Sequence, residues 1–264
     1  MKYGFLGCGN MGGAVALALS KKTHDILLTS RSVSSAEALA KKLGCRYAQT
    51  NEEVASSCDI VFLAVKPQMM ASVLQPLTLQ LQKKRPLIVS MAAGLSLKKL
   101  DELTSGGLPI LRIMPNTPVA IGKGMTTYCA NELVSGDILE ALLSDLSEAG
   151  RFDPIEEKLM DVGSAAAGCS PAYAYMFIEA MADGAVTCGL PRAKAMEYAA
   201  AALAGAAEMV LATGKHPGAL KDAVCSPGGS TIAGVRALEE NGFRGAVMDA
   251  IIAAYRRGTE LGKQ

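Results

Sequence analysis

The sequence has no tryptophan, two histidines and 5% aromatic residues in 264. Its seven cysteines are scattered without a C-x-x-C pair, so we expect neither disulfides nor a bound metal, and a reduced, cytoplasmic protein. The 26 basic and 25 acidic residues nearly cancel without a long run of either charge, which argues against nucleic acid as a partner. No apolar run approaches the roughly 18 to 20 residues of a membrane span, and the opening residues do not resemble a signal peptide, so no membrane association is expected.

Half of the residues are apolar, which at this length permits a sizeable buried core. Through residue 158, short apolar runs alternate with helical periodicity, a pattern typical of βαβ units around a parallel sheet. The strand candidates are YGFLG, DILLTS, DIVFLAV, PLIVSMAAG and PILRIMPN. The patterns Ser34-x-x-Glu37 and Thr50-x-x-Glu53 predict capping boxes at two helix starts, and Gly44 predicts the end of the first of these helices.

Beyond this point the strand signals vanish, and the candidate helices have proline near their starts or glycine at their ends. Helices are predicted to begin near Ser170, Pro191, Pro217, Ser230 and Arg244. They are rich in Ala and Met on more than one face, so we expect them to pack against a second subunit. The predicted fold class is α/β: a doubly wound sheet over residues 1–158, then an all-α domain over 159–264.

A glycine-rich loop, GCGNMG, follows the first strand candidate and opens a helical pattern. In such loops the first glycine permits a tight turn, the second lets a pyrophosphate approach the backbone, and the third allows close helix packing. A tight turn without a ligand is the alternative, but the strand–turn–helix context favours a dinucleotide site. The predicted cofactor-binding residues in this loop are Gly7, Gly9, Asn10, Met11 and Gly12.

The end of the second strand candidate predicts which dinucleotide is bound. An NAD enzyme usually carries an acid about 20 residues past the glycines to bind the ribose hydroxyls. Here the strand ends in Ser30, Arg31 and Ser32, and hydroxyls flanking a guanidinium suit a 2′-phosphate. We therefore expect NADPH to be preferred, with NADH as the second choice; the alternative is that Arg31 is an ordinary solvated charge.

Three further loops follow strand candidates and are expected at the same edge of the sheet, because ligands bind outside the carboxyl ends of parallel strands. Two of them would line the path of the ribose and nicotinamide. The third, MPNTP, holds an Asn and a Thr between two prolines; a merely rigid connection is its alternative. The residues assigned to the cofactor in these loops are Ala64, Val65, Lys66, Pro67, Met91, Ala92, Ala93, Pro115 and Asn116.

The stretch CSPGGSTIAGV combines a stiff entry, two glycines and two hydroxyl residues immediately before a helical run. Successive N–H groups at a helix start attract a small anion, so a substrate carboxylate would fit there. A serine-capped helix after a glycine turn is the alternative. Neither histidine lies in these loops, and no Ser–His–Asp pattern or paired carboxylates indicate a general base.

Taken together, the motifs resemble those of the pyrroline-5-carboxylate reductase family over essentially the whole chain. The stretches in the family's order and spacing are FLGCGNMGGA, FLAVKPQ, RIMPNTPVAIGKGMT, GCSPAYAYMFIEAMADGAVTCGLPR, HPGALKDAV and SPGGSTIAGVRALE. The resemblance implies reduction of a cyclic imine to L-proline by hydride transfer from NAD(P)H. It also implies a Rossmann-type domain and a helical dimerisation domain, in a homodimer that can assemble into a decamer.

By the same resemblance, the backbone of Gly229, Ser230 and Thr231 would hold the substrate carboxylate, and the Thr231 hydroxyl would contact the ring nitrogen as the catalytic group. Ser226, Gly228 and Glu157 are likewise expected at the substrate, and Asn51 at the cofactor. The chain departs from the family's pattern at Cys169, Ser170 and Ala223. Two rival classes are a β-hydroxyacid dehydrogenase, whose G-G-x-x-x-K motif is missing from the helical region, and a non-catalytic dinucleotide sensor or scaffold.

Overall fold

The computed structural model describes residues 1–262. The strands are β1 (Tyr3–Leu6), β2 (Ile26–Thr29), β3 (Arg46–Tyr47), β4 (Ile60–Leu63), β5 (Leu87–Ser90), β6 (Ile110–Met114), β7 (Gly124–Ala130) and β8 (Gly150–Pro154). The helices are α1 (Asn10–Leu19), α2 (Val33–Leu43), α3 (Asn51–Ser57), α4 (Met70–Leu74), α5 (Thr78–Lys84), α6 (Leu97–Leu103), α7 (Gly136–Asp145), α8 (Met160–Gly163), α9 (Ser170–Thr187), α10 (Arg192–Thr213), α11 (Pro217–Ala223), α12 (Ser230–Glu240) and α13 (Phe243–Leu261).

The strands form one sheet in the order β3-β2-β1-β4-β5-β6-β7-β8. The first six are parallel in the order of a doubly wound fold, β7 is antiparallel to β6, and β8 is parallel to β7. All five predicted strands form, and their apolar runs are buried on both faces, as strands covered by helices require. The predicted fold class is therefore confirmed.

Helix boundaries match the local patterns in two of three places. The Thr50 hydroxyl accepts the N–H of Glu53 at 3.3 Å, and the Glu53 carboxylate accepts the N–H of Gln49 at 3.2 Å. Gly44 ends α2 in the left-handed region at φ 67°. The capping box at Ser34 is wrong: α2 begins at Val33, because the short turn after β2 starts the helix earlier than that box requires.

The chain divides into two compact units. The first comprises Met1–Cys169 with the chain from Ala254 onward, and the second comprises Ser170–Ala253. The predicted division between residues 158 and 159 stays a prediction, and its last two residues lie outside the described chain. In the first unit, apolar clusters fill both faces of the sheet, with Phe5 and Phe62 stacked at 4.4 Å between ring centroids.

The second unit is helical, and the helices predicted for it are present. Its buried cluster consists of alanines, Ala182, Ala195 and Ala199, whereas Met176 and Met248 are 68% and 63% exposed in this single chain. By length and composition α10 could also cross a membrane, and 11% of its most apolar stretch is buried. So much exposed apolar surface marks a face that another protein surface covers.

Gly150 provides a test of how β7 and β8 pack. Its φ is +124°, and an added Cβ would overlap the Gly124 backbone. We expect Gly150→Ala to lower the free energy of unfolding by about 2 kcal/mol or more, because both strain and overlap arise. Denaturant unfolding would measure this, with Gly136→Ala as control, since a Cβ there meets nothing within 4 Å. Equal stability of both variants would contradict the packing described.

Candidate active site

The loops predicted to bind a cofactor lie at one edge of the sheet. β1 is paired with β2 on one side and β4 on the other, so the chain connections diverge at the carboxyl end of β1. Open α/β sheets bind ligands in the crevice at such a switch point. Parallel pairing brings the residues after β1, β2, β4, β5 and β6 to this same edge.

The glycines of the first loop allow backbone to approach backbone. At Gly7, φ is +104°, and an added Cβ would lie 2.7 Å from the carbonyl oxygen of Ala64. A Cβ at Gly12 would lie 2.6 Å from the Gly7 oxygen and 2.7 Å from the Ala64 Cβ. A Cβ at Gly9 meets nothing within 4 Å. Gly7 and Gly12 are therefore needed for close packing, whereas Gly9 faces open space.

That open space lies before the first turn of α1, whose N-cap is Gly9. Within the described chain, no side chain caps this helix start and no acidic residue occupies its first turn. The first backbone N–H groups of a helix have no partner within the helix, and its dipole favours negative charge there. These donors fit the pyrophosphate of a dinucleotide.

The end of β2 is held by a hydroxyl that sequence analysis missed. Thr29, 2% exposed, donates a hydrogen bond to Oδ1 of Asn51 at 2.8 Å, and its carbonyl accepts the N–H of Gly7 at 3.0 Å. A hydroxyl residue closing an apolar strand is the signal that could have indicated it. Asn51 is therefore fixed beside the loop after β2. Arg31 is exposed, and we find no ion pair for it among residues 1–262, so it suits a phosphate.

Asn116, predicted at the cofactor, uses its side chain within the protein. Its Nδ2 donates to the carbonyl of Ala167 at 3.1 Å, and its Oδ1 accepts the N–H of Met125 at 3.0 Å. Ala167 belongs to a five-residue π-helix, Ser164–Gly168, in which widened hydrogen bonding frees carbonyl groups. Asn116 thus ties the MPNTP loop to this segment, while its contact with a cofactor stays a prediction.

Glu157 forms a cluster that joins three parts of the first unit. Its Oε1 accepts hydrogen bonds from Nη1 of Arg112 at 2.7 Å and from the N–H of Leu97 at 2.6 Å. The Glu157 side chain is 38% exposed, whereas the Arg112 side chain is 6% exposed. Arg112 was missed, although a lone arginine inside the apolar strand ILRIM could have signalled it. The substrate contact of Glu157 stays a prediction.

In the second unit, the SPGG segment forms the turn that leads into α12, which begins at Ser230. Gly228 has φ +69°, and Gly229 donates its N–H to the Ser226 carbonyl at 3.0 Å, where an added Cβ would overlap the Ser226 hydroxyl. Gly229 is the N-cap, and the described residues provide neither a side-chain cap nor an acid in the first turn. Ser226, Ser230 and Thr231 are exposed in this single chain. The helix start is therefore open to an anion; the substrate contacts stay predictions.

Cys8, inside the first glycine loop, has a thiol of low reactivity. Its Sγ lies 3.1 Å from the Thr29 carbonyl, to which the thiol donates, and burial raises the pKa of this thiol to about 12. At pH 8 a thiol with that pKa is ionised to about one part in ten thousand, and the thiolate is the reactive species.

We therefore expect Cys8 to resist alkylation in the folded protein. Labelling with iodoacetamide at pH 8, followed by peptide mass spectrometry, should leave Cys8 unmodified while the same protein in denaturant is labelled readily. Below pH 12 its labelling rate should rise about tenfold per pH unit, as long as the fold persists. Fast labelling of folded protein at pH 8 would contradict this environment.

A doubly wound sheet with a glycine loop at its switch point defines a dinucleotide-binding protein of the Rossmann type. Residues 2–94 match the family model described as NADP oxidoreductase, coenzyme F420-dependent. Residues 157–261 match the model described as pyrroline-5-carboxylate reductase dimerisation.

Full-length relatives extend these matches. The pyrroline-5-carboxylate reductase of Escherichia coli (strain K12) is 44% identical, covering 99% of this chain and 98% of its own length. That of a Synechocystis species is 40% identical, covering 100% and 99%. The crystal structure of Plasmodium falciparum pyrroline carboxylate reductase with NADP bound has a TM-score of 0.88 at 33% identity, covering 99% and 98%.

The chain belongs to the pyrroline-5-carboxylate reductase family. The resemblance stated from the motifs is thereby confirmed, as are the oxidoreductase class, a nicotinamide cofactor and a homo-oligomer.

Proposed function

We propose that this protein reduces the cyclic imine pyrroline-5-carboxylate to L-proline, the last step of proline biosynthesis, with NADPH as the preferred hydride donor. The observation that carries this is the open N-terminus of α12, with Thr231 in its first turn, in a chain that also has a dinucleotide loop. Relatives across the full length are named for this reaction. Seven free cysteines agree with a reducing, cytoplasmic location.

The substrate carboxylate is held by backbone N–H groups of Gly229, Ser230 and Thr231. The left-handed conformation of Gly228 directs the chain into α12, and the uncapped first turn offers its donors and its dipole to one anion. Ser226 completes the substrate side, beside these backbone donors. Because the donors belong to a helix, they keep their geometry when the substrate leaves.

Reduction then depends on orientation more than on an acid–base pair. The bound nicotinamide supplies the hydride that adds to the imine carbon. Thr231 hydrogen-bonds the ring nitrogen, which arrives already protonated as the iminium cation. When hydride adds to the carbon, the C=N π electron pair becomes the lone pair of that nitrogen, and the bond becomes single. A fixed carboxylate and a fixed nitrogen leave the ring one orientation, and such positioning can supply much of a rate enhancement.

The cofactor is held by loops of the first unit. Gly7, Gly9 and Gly12, with Asn10 and Met11, receive the pyrophosphate at α1. Arg31 binds the 2′-phosphate between Ser30 and Ser32, and Asn51 contacts the neighbouring ribose. The remaining lining residues are Ala64, Val65, Lys66, Pro67, Met91, Ala92, Ala93, Pro115 and Asn116.

The assembly we propose is a homodimer, which can associate into a decamer of five dimers. The exposed methionines of α9 and α13 and the small alanine core of the second unit support burial of these helices against another copy.

Arg31 tests the cofactor preference. We expect Arg31→Ala to raise the Kd for NADPH roughly tenfold to a hundredfold, because a charged hydrogen bond to phosphate contributes about 1.5–3 kcal/mol. The Kd for NADH should stay within about twofold, since NADH has no phosphate there. Fluorescence titration would measure both, with Arg151→Ala, an exposed arginine of β8, as the control. Equal loss for both cofactors would refute the assignment.

Thr231 tests the catalytic assignment. We expect Thr231→Ala to lower kcat by roughly one to two orders of magnitude, the scale of one positioned polar group, with NADPH affinity unchanged. Thr231→Ser keeps the hydroxyl and should recover most of the activity. Steady-state kinetics of both variants would decide, and wild-type turnover by Thr231→Ala would remove the role.

The reaction itself is tested by NADPH consumption with racemic pyrroline-5-carboxylate, run beside NADH and the six-membered imine piperideine carboxylate. Fast, NADPH-preferring turnover with proline as product is expected. NADPH binding without turnover of either imine would overturn the proposal in favour of a dinucleotide sensor.

A further inference from the structure

Arg112 carries a charge into the interior of the sheet. It lies in β6 and is 5% exposed, between neighbours Leu111 and Ile113 that are almost fully buried. Burying a guanidinium is unfavourable unless it is paired and hydrogen-bonded. Its partner is Oε1 of Glu157, 2.7 Å away and 45 residues later in the chain. The Glu157 side chain is half-exposed, so the buried guanidinium is tied to a carboxylate that reaches the surface of the first unit.

The same Glu157 oxygen caps the start of α6, although the two lie 60 residues apart in the sequence. It accepts the N–H of Leu97, the first residue of α6, at 2.6 Å. The N-cap of that helix, Ser96, accepts a different group, the N–H of Lys99, at 3.1 Å. Two donors of the first turn, which have no partner within the helix, are thus satisfied, one locally and one by Glu157.

This cap holds one end of the turn formed by residues 91–96, which runs from β5 to α6. At the other end, Ser90 is paired in register with Arg112, and its hydroxyl accepts the N–H of Ala92 at 3.3 Å. Strand pairing therefore places Arg112 beside the start of this turn. Its ion pair with Glu157, which binds the Leu97 N–H, connects it to the end of the same turn. Met91, Ala92 and Ala93, assigned to the nicotinamide path, lie between.

We propose that Arg112 and Glu157 are a positioning pair that fixes the turn of residues 91–96 for the nicotinamide half of the cofactor. Arg112 orients the Glu157 carboxylate, and Glu157 anchors the start of α6, so neither needs to contact the cofactor. The inference rests on the proposed function only in naming the nicotinamide as what the turn receives.

Three variants separate this role from a substrate contact. Glu157→Ala removes both the ion pair and the cap, whereas Glu157→Gln keeps an acceptor for Leu97 but not the charge. Glu156→Ala is the matched control, because Glu156 is an exposed neighbour paired with Lys158 on the surface. Since Glu157 is half-exposed, its replacement leaves the sheet core filled.

The first measurement is hydrogen exchange at the Leu97 amide in the cofactor-free protein. We expect exchange about five- to tenfold faster in Glu157→Ala, the scale of one lost helix cap, and an intermediate rate in Glu157→Gln. The control should match the wild type. An unchanged Leu97 rate in Glu157→Ala would overturn the proposal, whatever the activity.

The second measurement compares the Kd for NADPH with the KM for the imine. Positioning of the turn predicts a Kd raised about fivefold or more in Glu157→Ala, partial recovery in Glu157→Gln, and a KM within about twofold of wild type. A raised KM with an unchanged Kd would instead make Glu157 a substrate contact and overturn the pair's role. If the wild type fails to turn over the imine, the proposed function fails, while the exchange and NADPH data still decide the pair.

Discussion

The close approach of α1 to the central strands is the constraint on which the rest of the first unit depends. A methyl group at Gly7 would meet the Ala64 backbone, and one at Gly12 would meet the Gly7 carbonyl, so either would have to displace main chain. Only this approach aims the start of α1 at the carboxyl end of β1, between β2 and β4. A Cβ added at Gly9 would meet nothing within 4 Å, so the space before α1 is open, as the predicted pyrophosphate site requires.

Around that crevice, buried polar side chains hold the loops that would touch the cofactor. Thr29 fixes Asn51, Asn116 holds the π-helix, and Arg112 with Glu157 anchors the start of α6. Each is a polar group removed from water, which is tolerable only because a specific partner satisfies it. These hydrogen bonds tie the loops of this edge to the sheet without any ligand, and a site supported in this way is what positioning catalysis requires.

The second unit has the opposite character. Its own buried core is a few alanines, and large side chains such as Met176 and Met248 remain exposed in one chain. A helical unit with so small a buried core and such exposed apolar helices is suited to packing against another copy, which agrees with its match to a dimerisation model. The SPGG segment belongs to this unit, so assembly and substrate binding are expected to be inseparable.

Local patterns predicted much of the fold. Five buried strands, the Thr50 cap, the Gly44 helix end and the helices after residue 169 were all readable, because apolar runs, caps and glycines act within a few residues. The strands β3, β7 and β8 were not predicted. β3 has two residues, β7 carries threonines and β8 is largely exposed, so pairing with neighbouring strands decides whether these segments form strands. The capping box predicted at Ser34 was wrong, because the short turn after β2 places the start of α2 at Val33.

For the site, the sequence by itself determined the glycine loop, the basic end of β2 and the open start of α12, since each is a contiguous stretch whose chemistry is local. Only the tertiary structure decided that Thr29 fixes Asn51 and that Arg112 reaches Leu97 through Glu157. Those partners are separated by 22 to 60 residues, and a hydrogen bond over that separation exists only once the sheet has brought its strand ends together.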